Sequence, residues 1–296
     1  KFDPLDDLRI PEIGGKLLKG KIESLQTKKL VKDIPVSLSI PGDDFYLNIA
    51  STDANGNFYF VIDQPLTDRT AIIDVLKDRN SFNLTIEELN HLPEERIKGF
   101  SNFSVLPEFK NEILKRSIYN QIENSYYALK PDIIFKENEI DFFKGVDKAE
   151  FVLDDYTRFK TVQETFTEIV QFARIRRDND GKFDFQVLGY PPYNDFNFGS
   201  LTIIDGVIVK DSDHFIRNFD ANKIESIQVI RNKYYLSTLI FNGIVIIRTK
   251  NKDYLESLAL DSQTTIEVSS SNQKKSYFKQ TYNKESRLPD YRTQLL

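Results

Sequence analysis

The stretch LTIIDGVIVKDS, residues 201–212, decides how the second half of this chain is read: an apolar run is broken by Asp205-Gly206 and then resumes. Asp-Gly between two apolar runs is a strong short-range hairpin signal, because tight hairpin turns need positive φ angles that Asp and Gly tolerate. The competing reading makes Asp205 a reactive carboxylate. No catalytic partner for it stands out in the sequence, so Asp205 is expected to be a corner. Its replacement by Ala should then cost only turn stability.

Working outward, residues 151 to about 250 alternate element types. TVQETFTEIV (161–170) opens on Thr161 with Glu164 three residues on, the spacing of a capping box that satisfies free N–H groups at a helix start. Val162, Phe166, Ile169 and Val170 form its apolar face. Strands are expected at 173–177, 182–188, 201–209, 224–231 and 243–249, which gives a mixed α+β domain over 151–255.

The N-terminal region, residues 1–92, reads as a β-sandwich. VSLSI (36–40) alternates apolar and polar side chains, FYLNI (45–49) follows a turn, and NFYFVI (57–62) follows TDANG. Alternation places Val36, Leu38 and Ile40 on one buried face and predicts a wet opposite face. The segments Asp53-Ala54-Asn55-Gly56 and Asp178-Asn179-Asp180-Gly181 invite a calcium reading, but a calcium loop spreads its ligands over a longer span ending in a bidentate Glu. Both are expected to be tight turns.

Residues 93–150 read as a connector with one helix. Pro107 suits a first turn, and Phe109, Ile113, Ile118, Ile122, Tyr126 and Leu129 recur at roughly helical spacing. A helix packed on a neighbouring domain is expected. Residues 256–296 read as an extended basic tail leading towards a further domain. Over 273–296 it carries Lys274, Lys275, Lys279, Lys284, Arg287 and Arg292 against Glu285 and Asp290, with Tyr277, Phe278, Tyr282 and Tyr291 interleaved. That composition fits a weak single-strand nucleic-acid binder or an arm docked on another domain; the arm is preferred, and no nucleic-acid partner is expected.

Composition narrows the function classes. The chain has 296 residues, 40% hydrophobic and 29% charged, with a net charge of −5, which suits a folded protein and gives no global electrostatic case for nucleic acid. It contains no Cys, which excludes disulfides, thiolate metal sites and cysteine nucleophiles. It begins at Lys1 and has no Met, so a processed product or fragment is expected. His91 and His214 are the only histidines and lie too far apart for a local metal motif. No nucleophile elbow is present, and Gly14-Gly15-Lys16 lacks the rest of a phosphate loop. The carboxylate pairs Asp43-Asp44 and Asp154-Asp155 read as turns and strand ends. No enzyme, cofactor or metal is expected.

The order of pieces from 161 onward resembles the plug domain of TonB-dependent outer-membrane receptors. The match lies in Ile204-Asp205-Gly206, Ile224-Glu225-Ser226-Ile227 and Asn242-Gly243-Ile244. The N-terminal part, from GKLLKGKI through FYF at residue 60, resembles the macroglobulin or carboxypeptidase-regulatory type of sandwich. Such sandwiches commonly precede plug domains in outer-membrane proteins of the Bacteroidetes lineage. The resemblance implies a mainly β chain plus α+β: sandwich, helical connector, then plug-like domain. It also implies continuation beyond Leu296, because RLPDYRTQLL is similar to a segment that leads into a further sandwich.

On function, the resemblance implies a periplasmic plug or accessory protein, associated with the outer membrane, that docks on a β-barrel made by another chain, with gating as the stronger form. A separate plug of this kind resembles what the type IX protein secretion translocon uses at its periplasmic opening. The alternative is a macroglobulin-like periplasmic scaffold or binding module without a gate. Where the family has a small glycine turn, this chain has Tyr234-Tyr235-Leu236-Ser237-Thr238-Leu239. Tyr234, Tyr235, Leu236 and Leu239 are therefore the candidate partner-binding residues, the other reading being that the two tyrosines cover the sheet.

Overall fold

The computed structural model describes residues 15–42, 44–63, 69–77, 81–87, 106–130, 133–134, 142–178, 180–190, 198–258, 264–268, 275–276, 278–280 and 288–291. His91, Asp43 and the tail residues Lys274, Tyr277, Tyr282, Lys284, Glu285, Arg287 and Arg292 lie outside them. In chain order the strands are β1 (Lys16–Ser24), β2 (Pro35–Ile40), β3 (Tyr46–Ser51), β4 (Asn57–Ile62), β5 (Arg69–Val75), β6 (Phe82–Glu87), β7 (Ile133–Ile134) and β8 (Ala149–Val152). They continue with β9 (Ala173–Arg177), β10 (Phe183–Val187), β11 (Leu201–Ile204), β12 (Val207–Val209), β13 (Ile224–Leu236), β14 (Leu239–Thr249), β15 (Thr264–Val268) and β16 (Lys275–Ser276). Helices are α1 (Lys110–Ser125), α2 (Val162–Glu168), α3 (Asp213–Asn218) and α4 (Asp253–Leu258). The protein is mainly β with α+β character.

The chain divides into two compact units, Lys1–Glu88 with Asn138–Asn272, and Leu89–Glu137 with Gln273–Leu296. In the first unit, a three-stranded sheet β4-β1-β6 faces a four-stranded sheet β15-β5-β2-β3. Between them Ile22, Val36, Leu38, Ile40, Phe58, Phe60, Ile73 and Val268 form one core, contributed by alternate positions of each strand. Strand β15 comes from the region read as an extended tail. It pairs antiparallel with β5, Thr264 opposite Ile73, and buries Val268 completely.

Strand β2 departs from the half-wet reading. Ser37 and Ser39 are as buried as Val36 and Leu38, because the outer face of their sheet is covered by the five-stranded sheet β12-β11-β14-β13-β8. Phe45, Leu47 and Ile49 pack there against Leu201, Ile203, Ile208, Ile244 and Ile246. Ser39 Oγ accepts a hydrogen bond from Ile208 N at 3.0 Å, so this polar position is satisfied across the layers. A serine also lets the two sheets approach where a larger side chain would hold them apart.

The five-stranded sheet is mixed: β11 runs parallel to β14, and the other pairs are antiparallel. Its second face is closed by α2, α3 and the β9–β10 hairpin, through Phe166, Val170, Phe185, Phe215, Ile227, Val229, Val245 and Ile247. Two covered faces explain the unbroken apolar runs of β11 and β14. α2 carries the expected capping box: Thr161 Oγ1 accepts from Glu164 N at 3.2 Å, and Glu164 Oε2 accepts from Thr161 N at 3.3 Å.

The turn at Asp53 is not a hairpin: β3 pairs with β2 and β4 with β1, so it carries the chain from one sheet to the other. Asp53 Oδ1 accepts from Asn55 N at 2.8 Å and Asn57 N at 2.9 Å, which builds the turn from its own carboxylate. Asp178 repeats the pattern, Oδ1 accepting from Asp180 N and Lys182 N, and there the turn does close a hairpin, β9–β10.

In the second unit, α1 follows a single 3-10 turn, Pro107–Phe109. None of its residues is fully buried, and Ile113, Leu114 and Ile118, with Phe109 just before it, are exposed. The packed edge of the helix is Tyr119, Ile122 and Glu123. Tyr119 meets the Tyr291 ring at 4.8 Å, Glu123 Oε1 accepts from Tyr291 N at 2.6 Å, and Glu123 Oε2 pairs with buried Lys130 at 2.7 Å. Lys130 also donates to the Pro289 carbonyl. Burial works to raise the Glu123 carboxyl, but Lys130 and the Tyr291 N–H hold it below its ordinary value. β7 pairs with β16, a second link between connector and tail.

Candidate functional site

The far end of the β13–β14 hairpin carries the candidate partner residues. β13 runs on to Leu236, beyond the expected end at 231, and Leu236 faces Leu239 across a two-residue turn in which Ser237 takes a φ of 54°. The strand period separates the four residues. Tyr234 meets the Phe143 ring edge-on at 5.2 Å, Leu236 is buried in the same cluster, and Leu239 packs against it. Only Tyr235 stands in solvent, 67% exposed. Burial raises the Tyr234 hydroxyl. Thr238 Oγ1 lies 3.1 Å from Ser51 Oγ, which ties the turn to the end of β3. The hairpin tip is therefore a braced element with one large side chain presented outward.

Two bulges phase this hairpin. A register shift between Ile224 and Ser226 keeps Ile224 on the same side as Ile227 and Val229, where strict alternation would have turned it over. Ser226 is buried as well. A second shift lies between Ile230 and Lys233, opposite Gly243. Gly243 has a φ of 87°, and a Cβ there would meet Val187 Cγ1 at 2.5 Å, so this position admits only glycine.

The second bulge re-aims Arg231, a residue that reading the sequence alone passed over. Its guanidinium lies over Phe172 at 4.2 Å and over Tyr190 at 4.1 Å, and donates to the carbonyls of Leu188 at 3.0 Å and Gly189 at 3.2 Å. Tyr190 in turn donates to Asp147 Oδ2 at 3.0 Å. A shallow cavity of about 270 Å³ opens beside them, lined also by Lys233 and Asn242. The available signal was an arginine interrupting an apolar strand opposite Asn242-Gly243.

Asp205 is a corner, with a φ of 50° followed by 82° at Gly206, but it is a buried one. Its Oδ1 accepts from Thr249 N at 2.7 Å, and its Oδ2 from Thr249 Oγ1 at 2.6 Å and Tyr254 N at 3.3 Å. The side chain thereby joins the β11–β12 turn to the end of β14 and the start of α4. Burial pushes the carboxyl above its ordinary value, against the opposing pull of those three donors. Three other acids pair with cations. Asp154 Oδ1 accepts from both Nε and Nη2 of Arg158, with Lys250 at 3.4 Å. Asp44 pairs with Arg69 at 2.5 Å, and Asp213 pairs with Arg217. His214 lies on α3, outside all of these contacts.

No family model, characterised protein or solved structure matches this chain. Among the described residues, no helix is long and apolar enough to cross a membrane.

Proposed function

We propose that the protein is a periplasmic plug or accessory protein that docks on a separate outer-membrane β-barrel, with the type IX secretion translocon as the particular barrel in view. One observation carries the reading. The three segments on which the plug resemblance rests, Ile204-Asp205-Gly206, Ile224–Ile227 and Asn242–Ile244, are far apart in sequence yet lie on adjacent strands of one sheet. They form one structural unit, which supports the reading. In this reading the role is non-catalytic, in keeping with Asp53 and Asp178 bonding within their turns, Asp154 pairing with Arg158 and Asp205 bonding the end of β14. Occluding a wide aqueous lumen needs only a compact body with polar turns, since such an interface can stay wet.

A scaffold without a gate is the second reading. The four-stranded sheet is buried on both faces, which welds the N-terminal layers and the mixed sheet into one body, as a scaffold requires. Mild detergent extraction followed by pull-down through a tag separates the two. A large barrel protein recovered with the chain is expected; soluble partners alone would leave the scaffold. Replacing the exposed Tyr235 by Ser should reduce the recovered barrel without lowering the melting temperature, and full recovery would remove the hairpin tip from the interface.

A further inference from the structure

Strand β9 is an open edge. It pairs with β10 on one side and with no other strand among the described residues. Leu188 N donates to Phe172 O at 2.7 Å, and Asp178 N donates to Lys182 O at 2.8 Å, which fixes the phase of the ladder. Residues 172, 174, 176 and 178 turn their N–H and C=O groups towards β10. Those of Ala173, Ile175 and Arg177 therefore point away from it, with no described group bonded to them; Ala173 is buried, Ile175 half-buried and Arg177 exposed.

Beside this edge, a groove of about 450 Å³ opens between α2 and the β9–β10 hairpin. Phe166 and Thr167 of α2 form one wall, and Phe172 to Ile175 with Phe183 and Leu188 of the hairpin form the other. Phe172, at the groove's end, has a φ of 67°, a strained value for a bulky side chain.

The charge of the edge is one-sided. β9 reads Ala-Arg-Ile-Arg-Arg. Arg69, Arg158 and Arg217 elsewhere each pair with a carboxylate. Arg174 instead donates through Nε to Gln186 Oε1 at 3.0 Å, and Arg177 lies over the Phe183 ring at 4.6 Å. Asp184, directly opposite Arg176, accepts from Phe185 N at 2.8 Å. Among the described residues, no carboxylate pairs with any of the three β9 arginines.

We infer that the groove between α2 and β9 receives an extended, acidic segment of a partner protein, added to β9 as a third strand. The outward N–H and C=O groups of Ile175 and Arg177 supply main-chain bonds, the groove takes alternate apolar side chains, and Arg174 and Arg176 meet carboxylates. Charged residues on an edge repel a second copy of the same edge and resist non-specific pairing. Towards an acidic strand the same charges are attractive, so they select the partner. The inference stands apart from barrel docking and uses a different face.

The test uses the full chain and a fluorescent peptide of alternating valine and glutamate, followed by anisotropy. A valine–lysine peptide of the same length is the control. The acidic peptide should bind and the basic one should not, and binding should protect the amides of Ile175 and Arg177 from hydrogen exchange. The double variant Arg174→Glu, Arg176→Glu should weaken the acidic peptide by about tenfold or more and transfer preference to the basic one. Ile175→Pro removes an outward N–H without touching the β10 ladder and should also abolish binding. No binding by the wild type, or binding that the charge reversal leaves unchanged, would show that the arginines only defend the edge.

Discussion

Asp53 and Asp205 occupy similar turns, each followed closely by a glycine and each accepting backbone N–H bonds, yet they do opposite work. Asp53 is half-exposed and bonds only within its own five residues, to Asn55 and Asn57. Asp205 is buried and bonds to residues 44 and 49 positions away, Thr249 and Tyr254. The first shapes a loop; the second fastens three elements. Turn chemistry is thus local and readable, but the energetic weight of a turn residue is set by what the rest of the fold brings to its side chain.

The largest effect that could break this comparison is in Asp205→Ala. Removing the carboxylate leaves Thr249 N, Thr249 Oγ1 and Tyr254 N without their acceptor in a buried place. The expected loss is about 2–4 kcal/mol, read as a fall in the urea midpoint at unchanged slope. This exceeds what a corner residue alone would cost, which is what the sequence suggested. A loss no larger than that of Asp53→Ala would show that the buried bonds contribute little.

Thr161→Ala comes next. It deletes the acceptor for Glu164 N and opens the capping box, so a loss of about 1 kcal/mol is expected, seen in the same melts. Asp53→Ala and Asp178→Ala should cost about 0.5–1 kcal/mol each, and the double variant their sum, since the two turns share no partner. Strong non-additivity would mean that the turns communicate, against their separate bonding.

What could be read in advance divides along the same line. The capping box at Thr161, the β11–β12 hairpin and the buried face Val36-Leu38-Ile40 are local patterns, and all three are present. Ser37 and Ser39 misled because their alternation with apolar residues marks a wet face unless another sheet arrives, and that sheet comes from residue 201 onward. The pairing of β15 with β5 was equally hidden: nothing in TTIEV names a partner almost two hundred residues earlier. Bulges hide in a different way, since one extra residue shifts the whole face pattern, as at Ile224 and Arg231. Of the candidate partner residues, sequence marked the hairpin tip, but only the strand phase separates exposed Tyr235 from packed Tyr234 and Leu236.

The smallest expected effect is the most discriminating, because the two aspartates should titrate with opposite sign. Backbone donation from Asn57 holds the Asp53 carboxyl below its ordinary value, so its contribution to stability is present above the unfolded pKa and fades as pH falls through the folded one. Burial raises the Asp205 carboxyl, so the folded state holds that proton more tightly than the unfolded chain does. Its contribution is then fullest below the unfolded pKa and declines as pH rises through the folded value. Asp253, close by in sequence to Tyr254 and negatively charged, pushes in the same direction as burial. Urea melts of the wild type, Asp53→Asn and Asp205→Asn from about pH 7 to about pH 3 separate the two terms, since Asn does not titrate. On acidification the advantage of wild type over Asp53→Asn should shrink, while its balance against Asp205→Asn should move in favour of wild type. If both differences moved the same way, the three donors at Asp205 would outweigh its burial, and the two turns would differ in reach but not in electrostatics.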